Sequence, residues 1–422
     1  MHSVTNAIPT GTIASIPAKA HAHRALICAA LATSPSTILL SRTSKDIDAT
    51  MDSLRGLGAH VVYENKIVTV TPGPAPVKGN VVPHESGTTL RLLLPVAASI
   101  CNDVDVDAKG RLPDRPLEPM LGEMKAHGVT FSQDKPPFTM TGRLQGGNFS
   151  MVGDVSSQFF SGLLLAAPQI GLSTITSTTP LQSSDYVTLT TETMRDFGVE
   201  VEHTLPDTNI NEAFTVPFGA SFIGRDNYQI EGDWSNAAIW MVAAGMTGKP
   251  ITITGMNKNS VQADRRIMQV MIDAGCDVVW DGMNVTVTGR ASKPIHADLE
   301  QMPDMLPVMA ALACSISGES SFVKGARLRL KESDRLVAVA NLIRDFGGTV
   351  CEEGDDLYII GSGILKGGHG DCVNDHRLVM AGTLMALISE NPVTLQDSEA
   401  ITKSYPDFFE DWNLLGGNAQ PV

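Results

Sequence analysis

An amphipathic segment that ends in glycine, and is followed by alternating β-branched residues, recurs along the chain. Its five copies are MDSLRGLGAHVVY, MLGEMKAHGVTF, TETMRDFGVEVE, IMQVMIDAGCDVVW and VANLIRDFGGTVCE. Their glycines are Gly58, Gly128, Gly198, Gly275 and Gly347, separated by 70, 70, 77 and 72 residues. Each copy is typical of a helix that stops at a C-terminal glycine and leads into a strand. The regular spacing predicts a repeated supersecondary unit.

A second repeated feature is a polar cluster that opens a run of small apolar residues. The six runs are KAHAHRALICAALA, ESGTTLRLLLPVAAS, SSQFFSGLLLAAP, WSNAAIWMVAAG, PDMLPVMAALAC and NDHRLVMAGTLMAL. Because they are apolar on all sides, they predict helices that are buried all round. Short strand-like segments follow them, namely STILL, DVDVD, STITS, ITITG, SSFV and PVTL. We therefore predict an α/β (α+β) chain of six βαβαββ-like units, three in each half.

The polar starts of these buried helices predict an anion site. Helix N-termini carry partial positive charge and unsatisfied N–H groups. If the units pack symmetrically, the helix starts converge, and convergent N-termini bind anions. The residues at the starts suit that role: they are Lys19, Arg24, Gly87, Thr88, Arg91, Ser156, Ser157, Gln158, Asp304, His376 and Arg377.

Some of these residues also have a simpler interpretation than anion binding. Ser156 could merely cap its helix, although three consecutive donors exceed what a cap requires. Asp304 could be a capping residue, or a general base if its carboxylate is aimed into an anion pocket. The histidines show no metal-like spacing, and we expect His21, His23 and His376 to make hydrogen bonds.

The stretch RLKESDRL, residues 329–336, places five charged residues in eight positions of a chain that is 18% charged. Lys331 and Arg335 stand four apart, so a helix would place them on one face. A charge run of this kind is more often a solvated turn. The alternative is a set of cations held for an anionic substrate.

Composition narrows the class of partner. A net charge of −15 argues against nucleic acid or an anionic membrane surface as the main partner. The six cysteines lie far apart without CxxC pairs or metal-like spacing, which indicates small buried hydrophobes in a reducing compartment. No apolar run approaches the length of a membrane span. We expect a cytoplasmic protein without a metal or cofactor.

Six motifs occur together in one order: GTIASIPAKAHAHR, ESGTTLR, GDVSSQF, RLKESDRL, NDHR and TKSYPDFF. In these motifs, from about residue 8 to residue 412, the chain resembles the 5-enolpyruvylshikimate-3-phosphate synthase family. The resemblance implies two domains of three βαβαββ units, residues 1–17 with 232–422 and residues 18–231, whose buried helices face an interdomain cleft. It also implies transfer of the enolpyruvyl group of phosphoenolpyruvate to the 5-hydroxyl of 3-phosphoshikimate, with release of phosphate, in aromatic amino acid biosynthesis. Glyphosate should then compete with phosphoenolpyruvate.

The resemblance assigns roles by motif position. The implied contacts to 3-phosphoshikimate are Lys19, Ala20, Arg24, Ser156, Ser157, Gln158, Ser183, Tyr186, Asp304 and Lys331. The implied contacts to phosphoenolpyruvate are Lys19, Gly87, Arg91, Arg115, Gln158, Arg335, Arg377 and Lys403. The implied catalytic residues are Asp304, which accepts the proton of the 5-hydroxyl, Glu332, which moves the proton on the enol methylene, and Lys19, which touches both substrates.

The chain departs from the family at a few of these positions. The family usually has serine at the position of Ala20 and often at that of Ala18, while many members have asparagine at the position of Glu85 and some at that of Arg327. Two alternatives remain open, one of the same fold and chemistry and one suggested by Ala18 and Ala20. One is UDP-N-acetylglucosamine enolpyruvyl transferase, although that family places a cysteine in the loop that here reads GRLPDRPLEP. The other is a non-catalytic, anion-binding relative.

Overall fold

The computed structural model describes residues 1–207 and 211–422. These residues form two compact units, one of residues 1–16 with 231–422 and one of residues 17–230. We call them the 231–422 unit and the 17–230 unit. No helix of the described residues is both long and apolar enough to cross a membrane.

The bounds of the regular elements follow in chain order. The strands are β1 His2–Val4, β2 Gly11–Ala14, β3 Ser36–Leu39, β4 His60–Glu64, β5 Ile67–Thr71, β6 Lys78–Val81, β7 Asp103–Val106, β8 Thr130–Phe131, β9 Phe138–Thr141, β10 Gly147–Met151, β11 Ser173–Ser177, β12 Glu202–Thr204, β13 Ala213–Val216, β14 Tyr228–Gln229, β15 Ile251–Thr254, β16 Asp277–Asp281, β17 Asn284–Thr288, β18 His296–Asp298, β19 Gly318–Val323, β20 Thr349–Glu353, β21 Asp356–Gly361, β22 Gly368–Asp371, β23 Val393–Gln396 and β24 Ala419–Pro421. The helices are α1 Lys19–Ala30, α2 Lys45–Gly56, α3 Gly87–Ile100, α4 Met120–Ala126, α5 Ser157–Ile170, α6 Asp185–Asp196, α7 Trp234–Thr247, α8 Ile267–Asp273, α9 Leu306–Cys314, α10 Arg335–Asp345, α11 His376–Ala386 and α12 Phe408–Leu414.

The described strands form six four-stranded sheets, and each sheet has one parallel pair and two antiparallel pairs. The strand orders in the 17–230 unit are β14-β3-β5-β4, β6-β7-β9-β8 and β10-β11-β13-β12. Those in the 231–422 unit are β16-β17-β15-β2, β18-β19-β21-β20 and β22-β23-β1-β24. The predicted α/β class and the six repeated units, three in each half, are confirmed.

Three of the six sheets include a strand that is distant in sequence. β14 pairs with β3, β2 pairs with β15, and β1 lies between β23 and β24. These strands lie close to the two ends of the chain or to the point where it passes from one unit to the other. The remaining three sheets are built from contiguous βαβαββ segments.

The five repeated glycines end helices as predicted. Gly58 and Gly128, which follow α2 and α4, have φ values of 103° and 98°. Gly198, Gly275 and Gly347 also have positive φ. Such φ values strain a residue that carries a Cβ, so glycine is the preferred residue where the chain reverses before the next strand.

Six long apolar helices form the cores, three in each unit. In the 17–230 unit these are α1, α3 and α5, and in the 231–422 unit α7, α9 and α11. α3 and α5 cross closely at Gly162, because a Cβ there would lie 2.5 Å from the carbonyl oxygen of Arg91. That crossing brings the polar starts of the two helices together.

Candidate active site

The predicted site residues form a cluster in each unit. The Lys19 cluster, in the 17–230 unit, comprises Lys19, Ala20, Arg24, Gly87, Arg91, Arg115, Ser156, Ser157, Gln158, Ser183 and Tyr186. The Asp304 cluster, in the 231–422 unit, comprises Asp304, Lys331, Glu332, Arg335, Arg377 and Lys403.

Arg24 in α1 is held by neutral oxygens. Its Nε donates to Thr190 Oγ1 at 2.7 Å, Nη1 to the Ala20 carbonyl at 2.7 Å, and Nη2 to the Tyr186 carbonyl at 2.9 Å. The side chain is only 2% exposed, and burial lowers its pKa to about 10. Arg24 therefore remains charged at neutral pH and ties the starts of α1 and α6 together.

Lys19 is the first residue of α1 and pairs with an acidic residue of α2. Its Nζ donates to Asp46 Oδ2 at 2.7 Å, and both side chains are mostly buried. The residue before it is Ala18, which offers no side-chain oxygen to cap the helix. The departure at Ala18 thus leaves the first turn of α1 without the cap that a serine would supply.

The starts of α3 and α5 are joined by hydrogen bonds. Arg91 Nη1 donates to Gln158 Oε1 at 3.1 Å, and Gln158 Nε2 donates to Thr88 Oγ1 at 2.8 Å. Arg115 lies directly against the start of α3, because a Cβ on Gly87 would be 2.6 Å from Arg115 Nη1. The structure therefore groups the Gly87, Arg91, Arg115 and Gln158 predicted for phosphoenolpyruvate.

The predicted serines have local structural roles. Ser156 caps α5, because its Oγ accepts from Gln158 N at 3.3 Å, and Ser157 is the first residue of the helix. Ser183 is buried and has a φ of 53°, in the left-handed region that a non-glycine residue seldom adopts. It lies three residues before Tyr186, at the start of α6.

Asp304 lies among three cations. Its Oδ1 accepts from Arg335 Nη1 at 2.6 Å and is 3.1 Å from Lys331 Nζ, while Oδ2 is 3.8 Å from Arg377 Nη2. Burial raises the pKa of this carboxyl, but the charges of Lys331, Arg377 and Arg335 outweigh burial and hold the pKa well below its ordinary value. Asp304 is therefore an ionised carboxylate rather than a simple helix cap.

Arg335 makes further ion pairs. Nη2 donates to Glu332 Oε2 at 2.7 Å, and Nε donates to Asp375 Oδ2 at 2.8 Å. Its side chain is 1% exposed. Burial lowers the pKa of Arg335, but the charges of Asp375, Glu332 and Asp304 outweigh burial and hold it above its ordinary value. The guanidinium is thereby fixed in position by three carboxylates.

The two halves of the RLKESDRL stretch have different surroundings. Arg329 pairs with Asp334 and Asp355 near the surface, as a solvated turn would. Lys331 instead contacts Asp304 and is 20% exposed. Burial lowers the pKa of Lys331 to about 8, with a further lowering from the charge of Arg327. The second half of the stretch is therefore mostly buried and ion-paired, unlike a solvated turn, and its binding of an anionic substrate stays a prediction.

Lys403 lies at the start of α11. Its Nζ donates to the Asn374 carbonyl at 2.8 Å, and the side chain is 8% exposed. Arg377 is in the first turn of the same helix, and its backbone N–H donates to Asp375 Oδ1 at 3.0 Å. Lys403 and Arg377 are thus placed around one helix N-terminus.

Two histidines make the predicted hydrogen bonds. His21 Nε2 is 2.8 Å from Tyr228 Oη, and His23 Nδ1 is 2.7 Å from Thr50 Oγ1. His376 is buried at the start of α11, with its Nδ1 3.8 Å from Asp375 Oδ1.

Sequence reasoning missed three acidic residues that contact or influence the clusters. Asp46 pairs with Lys19, and Asp375 pairs with Arg335. Asp264 accepts a hydrogen bond from Ser235 Oγ, and burial raises its pKa to about 6. Asp46 and Asp375 stand at helix starts in SKD and NDHR, where an acidic residue looks like an ordinary cap.

The fold and the clusters together define a class. Two units of three βαβαββ sheets each carry fixed cations and helix N-termini, an arrangement suited to small anionic ligands. A family model described as EPSP synthase (3-phosphoshikimate 1-carboxyvinyltransferase) matches residues 7–412. The chain belongs to the EPSP synthase family.

Curated relatives and solved structures agree with that membership. A 3-phosphoshikimate 1-carboxyvinyltransferase of Clostridium kluyveri is 36% identical over 412 residues, covering 96% of this chain and 95% of the relative. One from Methanocorpusculum labreanum is 34% identical, covering 97% of each chain. The EPSP synthase structure from Acinetobacter baumannii has a TM-score of 0.80 at 23% identity, over 100% of this chain and 99% of the other, and supports the fold. The predicted family is confirmed, and the UDP-N-acetylglucosamine alternative is not favoured.

Proposed function

We propose that this chain transfers the enolpyruvyl group of phosphoenolpyruvate to the 5-hydroxyl of 3-phosphoshikimate and releases phosphate. The observation that carries the proposal is the environment of Asp304, a carboxylate held ionised by Lys331, Arg335 and Arg377 in a member of the EPSP synthase family. A carboxylate that is kept ionised can accept a proton, and the cations around it can bind anionic substrates.

Each substrate is assigned residues in both clusters. For 3-phosphoshikimate we assign Lys19, Ala20, Arg24, Ser156, Ser157, Gln158, Ser183, Tyr186, Asp304 and Lys331. For phosphoenolpyruvate we assign Lys19, Gly87, Arg91, Arg115, Gln158, Arg335, Arg377 and Lys403. The support for these sets is the clustering of their members within one unit: Arg24 contacts the Tyr186 carbonyl, Arg91 contacts Gln158, and Arg115 lies against Gly87.

The chemistry is an addition followed by an elimination. The 5-hydroxyl oxygen bonds to C2 of phosphoenolpyruvate while its proton passes to Asp304, and Glu332, which enters this step protonated, delivers its proton to the methylene carbon, which becomes a methyl group. In the second step the methyl group returns a proton to Glu332, the C2–O bond to phosphate breaks, the departing phosphate takes up the proton held by Asp304, and the enol ether forms. Lys19 and Arg335 offset the charge on the carboxylate and the departing phosphate.

Substrate binding should strengthen Asp304 as a base. In the free protein its three cations hold its pKa well below the ordinary value, which makes it a weak proton acceptor. Anionic substrates pair with the same cations, and a unit charge at 4 Å contributes about 4 kcal/mol at an effective dielectric of 20. Pairing of these cations with both ligands should therefore raise the pKa of Asp304 and make it a better proton acceptor.

A phosphate-release assay tests this function. We expect phosphate only when phosphoenolpyruvate and 3-phosphoshikimate are both present, and none with UDP-N-acetylglucosamine as the acceptor. Release with UDP-N-acetylglucosamine alone as acceptor would show the other transferase activity. Binding of both ligands without any turnover would show a non-catalytic relative.

We further propose that the chain works in the cytoplasm as a monomer, in the route to chorismate and aromatic amino acids. The net charge of −15 disfavours nucleic acid as a partner. Free, buried cysteines such as Cys28, Cys314 and Cys372 suit a reducing compartment. Sedimentation velocity at micromolar concentration tests the monomer, and a species of twice the chain mass would contradict it.

A further inference from the structure

Two polar cross-links join α1 to α2 one helical turn apart. Lys19 and His23 are four residues apart on α1, and Asp46 and Thr50 are four residues apart on α2. Lys19 Nζ donates to Asp46 Oδ2 at 2.7 Å, and His23 Nδ1 is 2.7 Å from Thr50 Oγ1. Because residues four apart share a helix face, the two cross-links fix both the spacing and the rotation of α1 against α2.

Thr89 connects this pair to α3. Thr89 Oγ1 is 2.7 Å from Thr50 Oγ1 and donates towards the Asp46 carbonyl at 3.3 Å or Ser86 Oγ at 2.8 Å. Ser86 is the N-cap of α3, and its Oγ accepts from Thr89 N at 3.2 Å. Gly87 follows directly. The hydroxyl of Thr50 therefore lies between α1, which carries Lys19, and the start of α3.

The four side chains of this network are fully buried. Thr50, Thr89 and His23 are 0% exposed, and Ser86 is 1% exposed. A buried polar group that loses its partner keeps its desolvation penalty, so each hydrogen bond here constrains the structure more than a surface bond would. The network is thus a rigid polar connection inside an apolar core.

Each hydrogen bond of the network can be assigned a donor and an acceptor. Thr89 has one hydroxyl hydrogen and uses it towards Ser86 or Asp46, so it accepts from Thr50, and Thr50 accepts from His23 Nδ1–H. His23 Nε2, which is without a partner among the described residues, is then an unused acceptor rather than an unused donor. Burial, and then the charges of Lys19 and Arg24, hold the pKa of His23 well below its ordinary value, so the ring is neutral.

We propose that Thr50 is a positioning residue for phosphoenolpyruvate, which holds Lys19 and Gly87 in the relative placement that this substrate requires. The inference rests on the proposed function, in which Lys19 on α1 contacts both substrates and Gly87 at the start of α3 contacts phosphoenolpyruvate. The 3-phosphoshikimate contacts around Arg24 are held by a separate network through Thr190 and Ser161. Loss of the Thr50 hydroxyl should therefore affect phosphoenolpyruvate more strongly. Lys19, which is assigned to both substrates, keeps its direct bond to Asp46, whereas Gly87, which is assigned to phosphoenolpyruvate alone, loses the connection through Thr89.

Steady-state kinetics of Thr50→Val, Thr50→Ser and Thr193→Val test the inference. Thr50→Val keeps the shape of the side chain and removes the hydroxyl. We expect the KM for phosphoenolpyruvate to rise about tenfold, the effect of one well-made hydrogen bond. The KM for 3-phosphoshikimate should change by less than about twofold, and kcat by less than about threefold, because no catalytic residue is removed.

Two variants control for folding and for the loss of any buried hydroxyl. Thr50→Ser retains the hydroxyl and should restore the wild-type KM for phosphoenolpyruvate. Thr193 lies in α6 of the same unit, is 1% exposed, and donates only locally to the Leu189 carbonyl at 2.7 Å. Thr193→Val should leave both KM values near the wild type. If Thr50→Val does not fold, Thr50→Ala removes the same hydroxyl without adding a methyl group.

Several results would overturn the inference. They are an unchanged KM for phosphoenolpyruvate in Thr50→Val or Thr50→Ala, an equal rise for both substrates, failure of Thr50→Ser to restore the KM, or the same rise in Thr193→Val. A wild-type chain without turnover would overturn the proposed function, and this inference with it. Turnover by the wild type with an unchanged KM in the Thr50 variants would overturn the inference alone.

Discussion

Arg335 Nε donates to Asp375 Oδ2 at 2.8 Å, and the two side chains are 1% and 0% exposed. Asp375 also accepts from Ser333 Oγ at 2.9 Å and from the backbone N–H of Arg377 at 3.0 Å. One buried carboxylate therefore connects the RLKESDRL stretch to the NDHR stretch. Removal of Asp375 takes away the fully buried partner of Arg335 and leaves Asp304 and Glu332 to offset its charge.

Asp375→Asn should lower both stability and activity. The substitution keeps the size of the side chain but leaves the charge of Arg335 without its main partner. We expect a loss of about 3 kcal/mol in the free energy of unfolding, typical of breaking a buried ion pair. Denaturant unfolding measures the stability, and phosphate release measures an expected fall in kcat/KM for phosphoenolpyruvate.

Asp355→Asn is the matched control for that change. Asp355 accepts from Arg329 Nε at 2.8 Å, but its side chain is 48% exposed. Exposed ion pairs contribute at most about 1 kcal/mol, so this variant should resemble the wild type. Equal losses of stability in the two variants would refute the special role of Asp375.

Gly87→Ala should weaken phosphoenolpyruvate binding with little effect on stability. A Cβ at position 87 would lie 2.6 Å from Arg115 Nη1, so the guanidinium must move. Because the displaced group is the far end of a flexible side chain, the free energy of unfolding should change by less than about 1 kcal/mol. The displaced cation should raise the KM for phosphoenolpyruvate by about tenfold.

Gly122→Ala provides the comparison. A Cβ at Gly122 in α4 would lie 3.1 Å from Glu118 Oε2, which is also the end of a flexible side chain. Neither residue is assigned to a substrate. An unchanged KM in Gly87→Ala, or the same rise in Gly122→Ala, would show that the contact between Gly87 and Arg115 does not position the substrate.

We predict that 3-phosphoshikimate binding weakens at alkaline pH, because Lys331 loses its charge there. Burial lowers its pKa to about 8. The folded protein therefore carries this charge below pH 8 and loses it as the pH rises through that value, so kcat/KM for 3-phosphoshikimate should decline above about pH 8. In Lys331→Arg the guanidinium stays charged, and the decline should vanish even if the rate is lower. A decline at the same pH in Lys331→Arg would assign it to another group.

The repeat and the buried helices could be predicted because their signals are local. A helix that is apolar on all sides, or one stopped by glycine, is encoded within about 15 residues. The sixth copy of this repeat, in which Gly416 follows α12 with a φ of 95°, was missed. The strand after it, β24, lacks the β-branched alternation that marks the other five.

The sequence did not reveal which strands pair with each other or which carboxylates form ion pairs with the cations. The pairing of β1 with β23 joins residues almost 400 positions apart, and a local pattern does not specify such a partner. Cations such as Lys19 and Arg335 were recognised by motif, whereas Asp46 and Asp375 look like ordinary residues of a helix start. Only the packed structure shows that these carboxylates hold the cations in place.

Asp304→Ala should abolish turnover while 3-phosphoshikimate still binds. Loss of the proton acceptor should lower kcat by a factor of about 100 to 10,000. Removal of this carboxylate also leaves Lys331, Arg335 and Arg377 with one fewer negative partner, so calorimetry should show binding of 3-phosphoshikimate that is equal or tighter. Asp298→Ala removes an exposed carboxylate that pairs with Lys324, and its rate should match the wild type. A wild-type rate in Asp304→Ala would remove Asp304 from the mechanism.

The most direct test of enolpyruvyl transfer is to follow phosphorus and vinyl-proton NMR signals in one reaction with both substrates. We predict that free phosphate and a new enol ether with two vinyl protons appear in equal amounts. Neither should form when phosphoenolpyruvate or 3-phosphoshikimate is supplied alone. Phosphate released from phosphoenolpyruvate without 3-phosphoshikimate, or phosphate without the enol ether, would contradict the transfer.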